Sequence, residues 1–215
     1  MKVIVLAAGQ GYQLDGFNKL LLRNPHTNER IIESYLRLFN RDNLTFVVGY
    51  RAINVIHNYP NLNYIYNEYW ATFNNSLSLY LAIDNNPTIV ISGDLFLKDS
   101  ILDKIYSKDD NLVITQNNEL RSINSLNVSC NDSFRIKSIY QGKIKNIKDY
   151  EAMGIYKITD KNLLKSWKNN CLNNKDKLIG QNLDFENYEV ISVVADNDEI
   201  KEINCTDDYL RFKDL

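Results

Sequence analysis

The chain has 215 residues with 25 Lys and Arg against 27 Asp and Glu, a formal net charge of −2. That length carries one substantial α/β domain and falls short of two independent ones, and the near-cancelling charge gives no basic field of the kind that holds nucleic acid through its phosphates. The three cysteines, Cys130, Cys171 and Cys205, are odd in number and lack metal-ligand spacing, which predicts a reduced cytoplasmic protein, and no apolar run reaches membrane-spanning length.

Residues 3–6, Val-Ile-Val-Leu, form a short apolar run of the kind that makes a strand buried on both faces. The run is too brief for a signal peptide and breaks at once into Ala7, Ala8, Gly9, Gln10 and Gly11. Two glycines there allow a sharp turn and leave amide hydrogens uncovered by side chains, so the loop can hold phosphate oxygens. Lys19 sets one cation at its far end. A dinucleotide fingerprint would need glycine where Leu14 stands, and a Walker loop would need Gly-Lys-Ser/Thr where Gly11 precedes Tyr12. A plain tight turn after a first strand remains the alternative.

Further along, 29–39 place Ile31, Ile32, Tyr35, Leu36 and Phe39 on one helical face. Residues 44–50 read as a second buried strand ending at Gly49 and Tyr50, 52–59 as an amphipathic segment, and 64–66 as a third strand. A polar loop from Asn67 leads into a helix ending near Ala82, and 88–94 form a fourth strand closed by Gly93-Asp94. This alternation predicts an α/β fold, a doubly wound, mostly parallel sheet with ligands at the carboxyl ends of its strands. Residues 112–115 continue it. The stretches 123–129, 134–140 and 148–158 alternate in strand fashion, which predicts antiparallel material added to the main sheet. Asp160 is placed to cap a helix running through Trp167 and Asn170. Residues 190–194 return as a strand, and 201–204 lead to a last helix starting at Thr206. The single domain thus divides into a core over 1–116, an antiparallel insertion over 117–189, and a returning strand with a C-terminal helix over 190–215.

Asp94 is a hard oxygen ligand suited to Mg²⁺, at the carboxyl edge of a parallel sheet beside the first loop; a turn or helix-capping aspartate is the other reading. Glu202 and Asn204 are two apart, so on a strand both face one way and can converge on one ion, or they line an exposed strand face and helix cap. His26 and His57 sit near no motif.

The first loop resembles the signature of the nucleotidyltransferases with a Rossmann-like domain, Leu-Ala-Ala-Gly-x-Gly-x-Arg followed by Pro-Lys or Asn-Lys, here Leu6 to Gly11 with Asn18-Lys19. Gln13 replaces the usual arginine, which removes a fixed charge and its bidentate grip on phosphate. Over most of its length the chain is similar to bacterial phosphocholine cytidylyltransferases and relatives acting on aminoethylphosphonate or other small phospho compounds. The residues that carry this are the first loop, Gly49-Tyr50, the Asn-Asn-x-x-Ser-Leu run at Asn74, Asn75 and Ser78, Gly93-Asp94, Met153-Gly154-Ile155-Tyr156, and the ending from Glu202 to Tyr209. The resemblance implies a nucleotide-diphospho-sugar transferase-like fold. It also implies that Leu6, Ala7, Ala8, Gly9, Gln10, Gly11, Gly49, Tyr50, Asn74, Asn75 and Ser78 lie near the nucleotide, although the two asparagines and the serine also suit capping of their helix. Lys19 and Asp94 would be catalytic, with Mg²⁺ on Asp94, Glu202 and Asn204.

The reaction implied is transfer of CMP from CTP to a small phosphorylated or phosphonate acceptor with release of pyrophosphate, for surface polysaccharide or lipid decoration. The antiparallel insertion would recognise the acceptor. Choline calls for an aromatic cage, yet 121–125 hold no tryptophan; Trp70, Tyr140, Tyr150 and Tyr156 are left for a partial cage or for the core. A phosphate monoester already carries a nucleophilic oxygen at neutral pH, so positioning and cations, rather than a general base, carry the chemistry. The alternatives are a sugar-1-phosphate nucleotidyltransferase and a nucleotide-binding protein without turnover, the latter suggested by Gln13. No nucleic acid or membrane partner is expected, and a homodimer is compatible with the sequence.

Overall fold

The structure is a computed structural model that describes residues 1–118 and 121–214. The first half of the chain alternates strands and helices: β1 (Lys2–Ala7), α1 (Ile31–Leu38), β2 (Leu44–Val48), α2 (Ala52–Asn58), β3 (Asn63–Tyr66), α3 (Asn75–Ala82) and β4 (Thr88–Ser92). A short strand β5 (Leu95–Leu97) and helix α4 (Ile101–Ile105) follow, then β6 (Leu112–Gln116), β7 (Leu126–Cys130), β8 (Ile136–Gln141) and β9 (Tyr150–Ile158). Helix α5 (Lys161–Asn173), β10 (Ile191–Val194), β11 (Ile200–Glu202) and α6 (Thr206–Lys213) complete it.

The main sheet runs β10-β6-β9-β4-β1-β2-β3, with β7 and β8 attached through β9. Strand β1 pairs in parallel with both β2 and β4, and β10 pairs in parallel with β6. Val3 and Val5 point into one core layer with Tyr35 of α1 and Val55 of α2, while Ile4 and Leu6 point into the other with Leu79 of α3 and Trp167 of α5. This two-sided burial is why β1 is a continuous apolar run rather than an alternating one. Each such side chain contributes about 1.5–3 kcal/mol on full burial.

The fold is the α/β, doubly wound, mostly parallel one expected, with one difference in position. Of the three antiparallel strands expected as an addition, β7 and β8 lie off the main path, but β9 sits between β4 and β6 and is antiparallel to both. Its buried residues Met153, Ile155, Tyr156 and Ile158 serve both core layers, so the strand belongs to the middle of the sheet. Asp160 caps α5 as its position suggests, accepting from the N–H groups of Asn162 and Leu163. The short β5 is unforeseen; it pairs antiparallel with β11 in a separate two-stranded ribbon. No helix among the described residues is long and apolar enough to cross a membrane.

Candidate active site

The loop after β1 folds as its glycines require. Gly11 and Gly16 both take left-handed backbone angles around a 3-10 turn at Tyr12–Leu14, and the Gly11 carbonyl accepts from the N–H groups of Leu14 and Gly16. The N–H groups of Gly9, Gln10 and Gly11 have no protein acceptor among the described residues. A Cβ added to Gly9 would meet nothing within 4 Å, so that backbone opens on empty space. Asn18 is buried and its side chain accepts from Leu20 N, capping the 3-10 turn that carries Lys19.

Asp94 stands in the turn between β4 and β5. Tyr35, fully buried on α1, points its hydroxyl at the carbonyls of Ser92 (2.8 Å) and Leu95 (3.0 Å), one on each side of Asp94. Burial, and then the Asp94 charge, hold this phenol well above its ordinary pKa, so it remains a donor. Gly93 N donates to Leu6 O at 2.8 Å, and a Cβ on Gly93 would fall 2.6 Å from Ala7 Cβ. Only glycine lets the aspartate turn lie this close to the first loop. From the other side Ile203 N donates to Asp94 O, and the β5–β11 ribbon sets Glu202 and Asn204 next to it. Asp208, at the start of α6, accepts from the N–H groups of Asn204 and Cys205.

Lys19 joins these parts. Its ammonium donates to Asp94 Oδ2 at 2.9 Å and to Asn204 Oδ1 at 3.0 Å. The second carboxylate oxygen of Asp94, Oδ1, is buried and has no hydrogen-bond partner, an arrangement that leaves an acceptor unsatisfied unless a further donor or cation arrives. Glu202 keeps an exposed surface in the cleft, which tempers the effect of its surroundings. Partial burial and the neighbouring Asp94 charge nonetheless push its carboxyl up to about 7, against the opposing Asn204 hydrogen bond.

Two cavities meet at this point. The smaller, about 300 Å³, lies between the first loop and the start of α3; Gly9, Lys19, Trp70 and Ser78 are among its walls. The larger, about 760 Å³, lies over β9 and the β11 ribbon, with Arg121, Glu151, Tyr156 and Glu202 among its walls. Asn75, Ser92 and Asp94 line both. A group held in each cavity would therefore face its neighbour across the Asp94 carboxylate.

No protein-family model matches the sequence, and no curated protein does. Solved structures do match, over nearly whole chains. CTP:phosphocholine cytidylyltransferase from Streptococcus pneumoniae aligns with a TM-score of 0.75 at 18% identity, covering 99% of this chain and 97% of that one. The inositol-1-phosphate CTP transferase from T. maritima aligns at 0.73 and 18%, covering 98% and 94%. A nucleoside-diphosphate-sugar pyrophosphorylase from Vibrio cholerae RC9 aligns at 0.75 and 13%, covering 100% of both chains. The chain has the nucleotidyltransferase fold.

In this nucleotidyltransferase fold, Leu6, Ala7, Ala8, Gly9, Gly11, Lys19, Asn74, Asn75, Ser78 and Asp94 all line the smaller cavity. Gln10, Gly49 and Tyr50 do not. Gly49 packs instead under the loop, where a Cβ would lie 2.7 Å from Ala8 O and 2.6 Å from Trp70 Cβ, and Tyr50 N donates to Ala8 O while its ring lies against Trp70. Both shape the cavity from behind. The Asn-Asn-x-x-Ser run has much of its polarity occupied by the protein. Asn74 caps α3 and reaches Asp176 O, Asn75 Oδ1 accepts from Ile179 N, and Ser78 Oγ accepts from Asn67. The capping reading therefore holds for Asn74 alone, beside the cavity-lining one, while Asn75 and Ser78 bond to other segments.

The partial aromatic cage does not form. Tyr156 lines the larger cavity and Trp70 the smaller, while the Tyr140 hydroxyl donates to Asp149 and Tyr150 packs on Phe134. Sequence reasoning missed Tyr35 and Glu151. Tyr35 looked like one more apolar position on an amphipathic helix. Glu151 carried a usable signal, a carboxylate inside a strand in which Lys157 is the one other charged residue.

Proposed function

We propose that this protein transfers CMP from CTP to a small phosphorylated or phosphonate acceptor, releasing pyrophosphate. The observation that carries the reading is the meeting of two cavities at Asp94, with Lys19 and the unpartnered Asp94 Oδ1 at the junction. In this reading the smaller cavity takes the nucleotide. The free N–H groups of Gly9 and Gly11 and the Lys19 ammonium face its phosphates, and the larger cavity presents the acceptor oxygen for in-line attack.

Asp94, Glu202 and Asn204 suit Mg²⁺ by chemistry: two carboxylates and an amide oxygen on the wall of one cavity, with one buried oxygen still unsatisfied. No cluster of three His, Cys, Asp or Glu side chains suited to a metal occurs among the described residues, so the amide oxygen of Asn204 is needed to complete the set. Bound there, Mg²⁺ supplies charge neutralisation for the α-phosphate and the leaving pyrophosphate. Lys19 holds the Asp94 and Asn204 oxygens together until phosphate competes for its ammonium. Tyr35 and Gly93 fix the height of Asp94 over the first loop. No general base is required, because the acceptor phosphate is already nucleophilic at neutral pH.

Pyrophosphate release measured with each of the four nucleoside triphosphates against a panel of phospho-acceptors tests the reading. Turnover with CTP and a small acceptor is the expected result. Turnover confined to another triphosphate and a sugar 1-phosphate would move the protein to the sugar-nucleotide enzymes. CTP binding without turnover by any pair would make it a binding protein.

A further inference from the structure

The larger cavity holds polar groups that the nucleotide chemistry above leaves unused. Glu151, on β9, is only 8% exposed. One of its oxygens accepts from Asn118 Nδ2 at 2.6 Å, and among the described residues the other has no partner and no cation pairs with the carboxylate. Arg121, the nearby cation of the same wall, is already engaged with neutral acceptors, donating to the Asn118 carbonyl, the Asn127 side chain and the Asp149 carbonyl. Tyr156 is 1% exposed and lines the same cavity, and its hydroxyl has no hydrogen-bond partner among the described residues. It is also the only aromatic side chain among the described residues of that wall, and its ring packs on Trp167 in the core.

Neither the free Glu151 oxygen nor the Tyr156 hydroxyl is sealed off from the cavity, so a ligand that displaces water there must replace the donors it removes or leave these groups unmatched. A quaternary ammonium offers no N–H and is held by aromatic faces, which this cavity does not assemble. A ligand bearing N–H or O–H groups would satisfy the Glu151 oxygen and the Tyr156 hydroxyl together. We propose that the acceptor ends, away from its phosphate, in hydrogen-bond donors received by Glu151 and Tyr156, and that trimethylated amines are rejected. This rests on reading the larger cavity as the acceptor site. The donors belong either to a primary ammonium or to hydroxyls of a polyol.

Calorimetric titration of the whole protein, with Mg²⁺ and a non-hydrolysable CTP analogue present, uses three probes: phosphoethanolamine, glycerol 3-phosphate and phosphocholine. The first and third differ only in the three methyl groups that replace N–H. At least one of the first two is expected to bind about tenfold or more tightly than phosphocholine, the loss set by leaving a buried polar group unmatched. Glu151→Gln should remove most of that advantage for the ammonium and less of it for the polyol, which tells the two donor types apart. Tyr156→Phe, nearly isosteric, should also narrow it and decides the matter if the first variant does not fold. Equal or tighter binding of phosphocholine, a preference unchanged in the folded variants, or no binding of any probe would overturn the proposal. Pyrophosphate release from CTP with phosphocholine as the best acceptor would overturn it while leaving nucleotidyl transfer standing. Donor-selective binding with no pyrophosphate release under any pairing would do the reverse.

Discussion

Lys19 Nζ and Asp94 Oδ2 lie 2.9 Å apart although 75 residues separate them in the chain, and both side chains are about one-fifth exposed. The pair closes the gap between the first loop and the fourth strand, and the same ammonium reaches Asn204 at 3.0 Å. Replacement of Asp94 by Asn keeps the shape and removes the charge. Turnover is expected to fall by at least about 10²-fold. Stability should change by no more than about 1 kcal/mol, since the pair is partly solvated. A near-normal rate of pyrophosphate release in this variant would remove Asp94 from the reacting centre.

Tyr35 supports Asp94 from below. Tyr35→Phe leaves the Ser92 and Leu95 carbonyls without their donor, with an expected loss of about 1–3 kcal/mol in denaturant unfolding. Because those carbonyls flank the carboxylate proposed to hold Mg²⁺, the concentration of Mg²⁺ needed for half-maximal rate should rise as well. A stability loss with unchanged Mg²⁺ dependence would restrict Tyr35 to the core.

In the proposed Mg²⁺ site, Glu202 would make metal binding sensitive to pH. Its carboxyl is raised from the usual carboxylate range to about 7, by burial first and by the Asp94 charge second. For an acid raised on folding, the metal-free protein loses stability as pH climbs from about 4.5 to 7, because the unfolded chain releases the proton earlier. Above 7 the contribution is constant. Mg²⁺ needs the carboxylate, so its affinity should decline as pH drops below 7 and level off above. Thermal unfolding with and without Mg²⁺ should accordingly show a larger metal-induced rise in Tm at pH 8 than at pH 5.5. Equal shifts at the two pH values would exclude Glu202 from the ligand set.

Gln13 lines the larger cavity on the exposed 3-10 turn of the first loop. Gln13→Arg places a bidentate phosphate donor at the cavity mouth. The KM for the phospho-acceptor, whose proposed cavity Gln13 lines, is expected to fall about threefold to tenfold, in line with a charged hydrogen bond at a solvated position. An unchanged KM would mean that the turn holds residue 13 away from the acceptor phosphate.

Local pattern carried most of the strands and helices, because β1, β2 and β4 are buried on both faces and show it in unbroken apolar runs. It did not carry the place of β9. A strand with the same hydrophobicity reads alike at the middle or the margin, and only its pairing with β4 and β6 decides. β5 was lost because three residues following Asp94 show no period, and its partner β11 is over a hundred residues away. The first loop, Lys19 and Asp94 were legible through spacing and residue chemistry. Gly49 and Tyr50 were legible as important but not as supporting groups, since a glycine required by a close approach and one required by a ligand look the same in sequence. The free oxygen of Glu151 and the double contact of Tyr35 depend on side-chain partners distant in the chain, and no local signal encodes those.

The seat of β9 between β4 and β6 also has a temporal consequence. Strands β1 to β4 find one another through short crossovers, whereas β6 can join them only once residues some forty positions later have arrived to bridge the gap. The sheet therefore closes only through β9, and the larger cavity, which Glu151 and Tyr156 of that strand line, is incomplete without it.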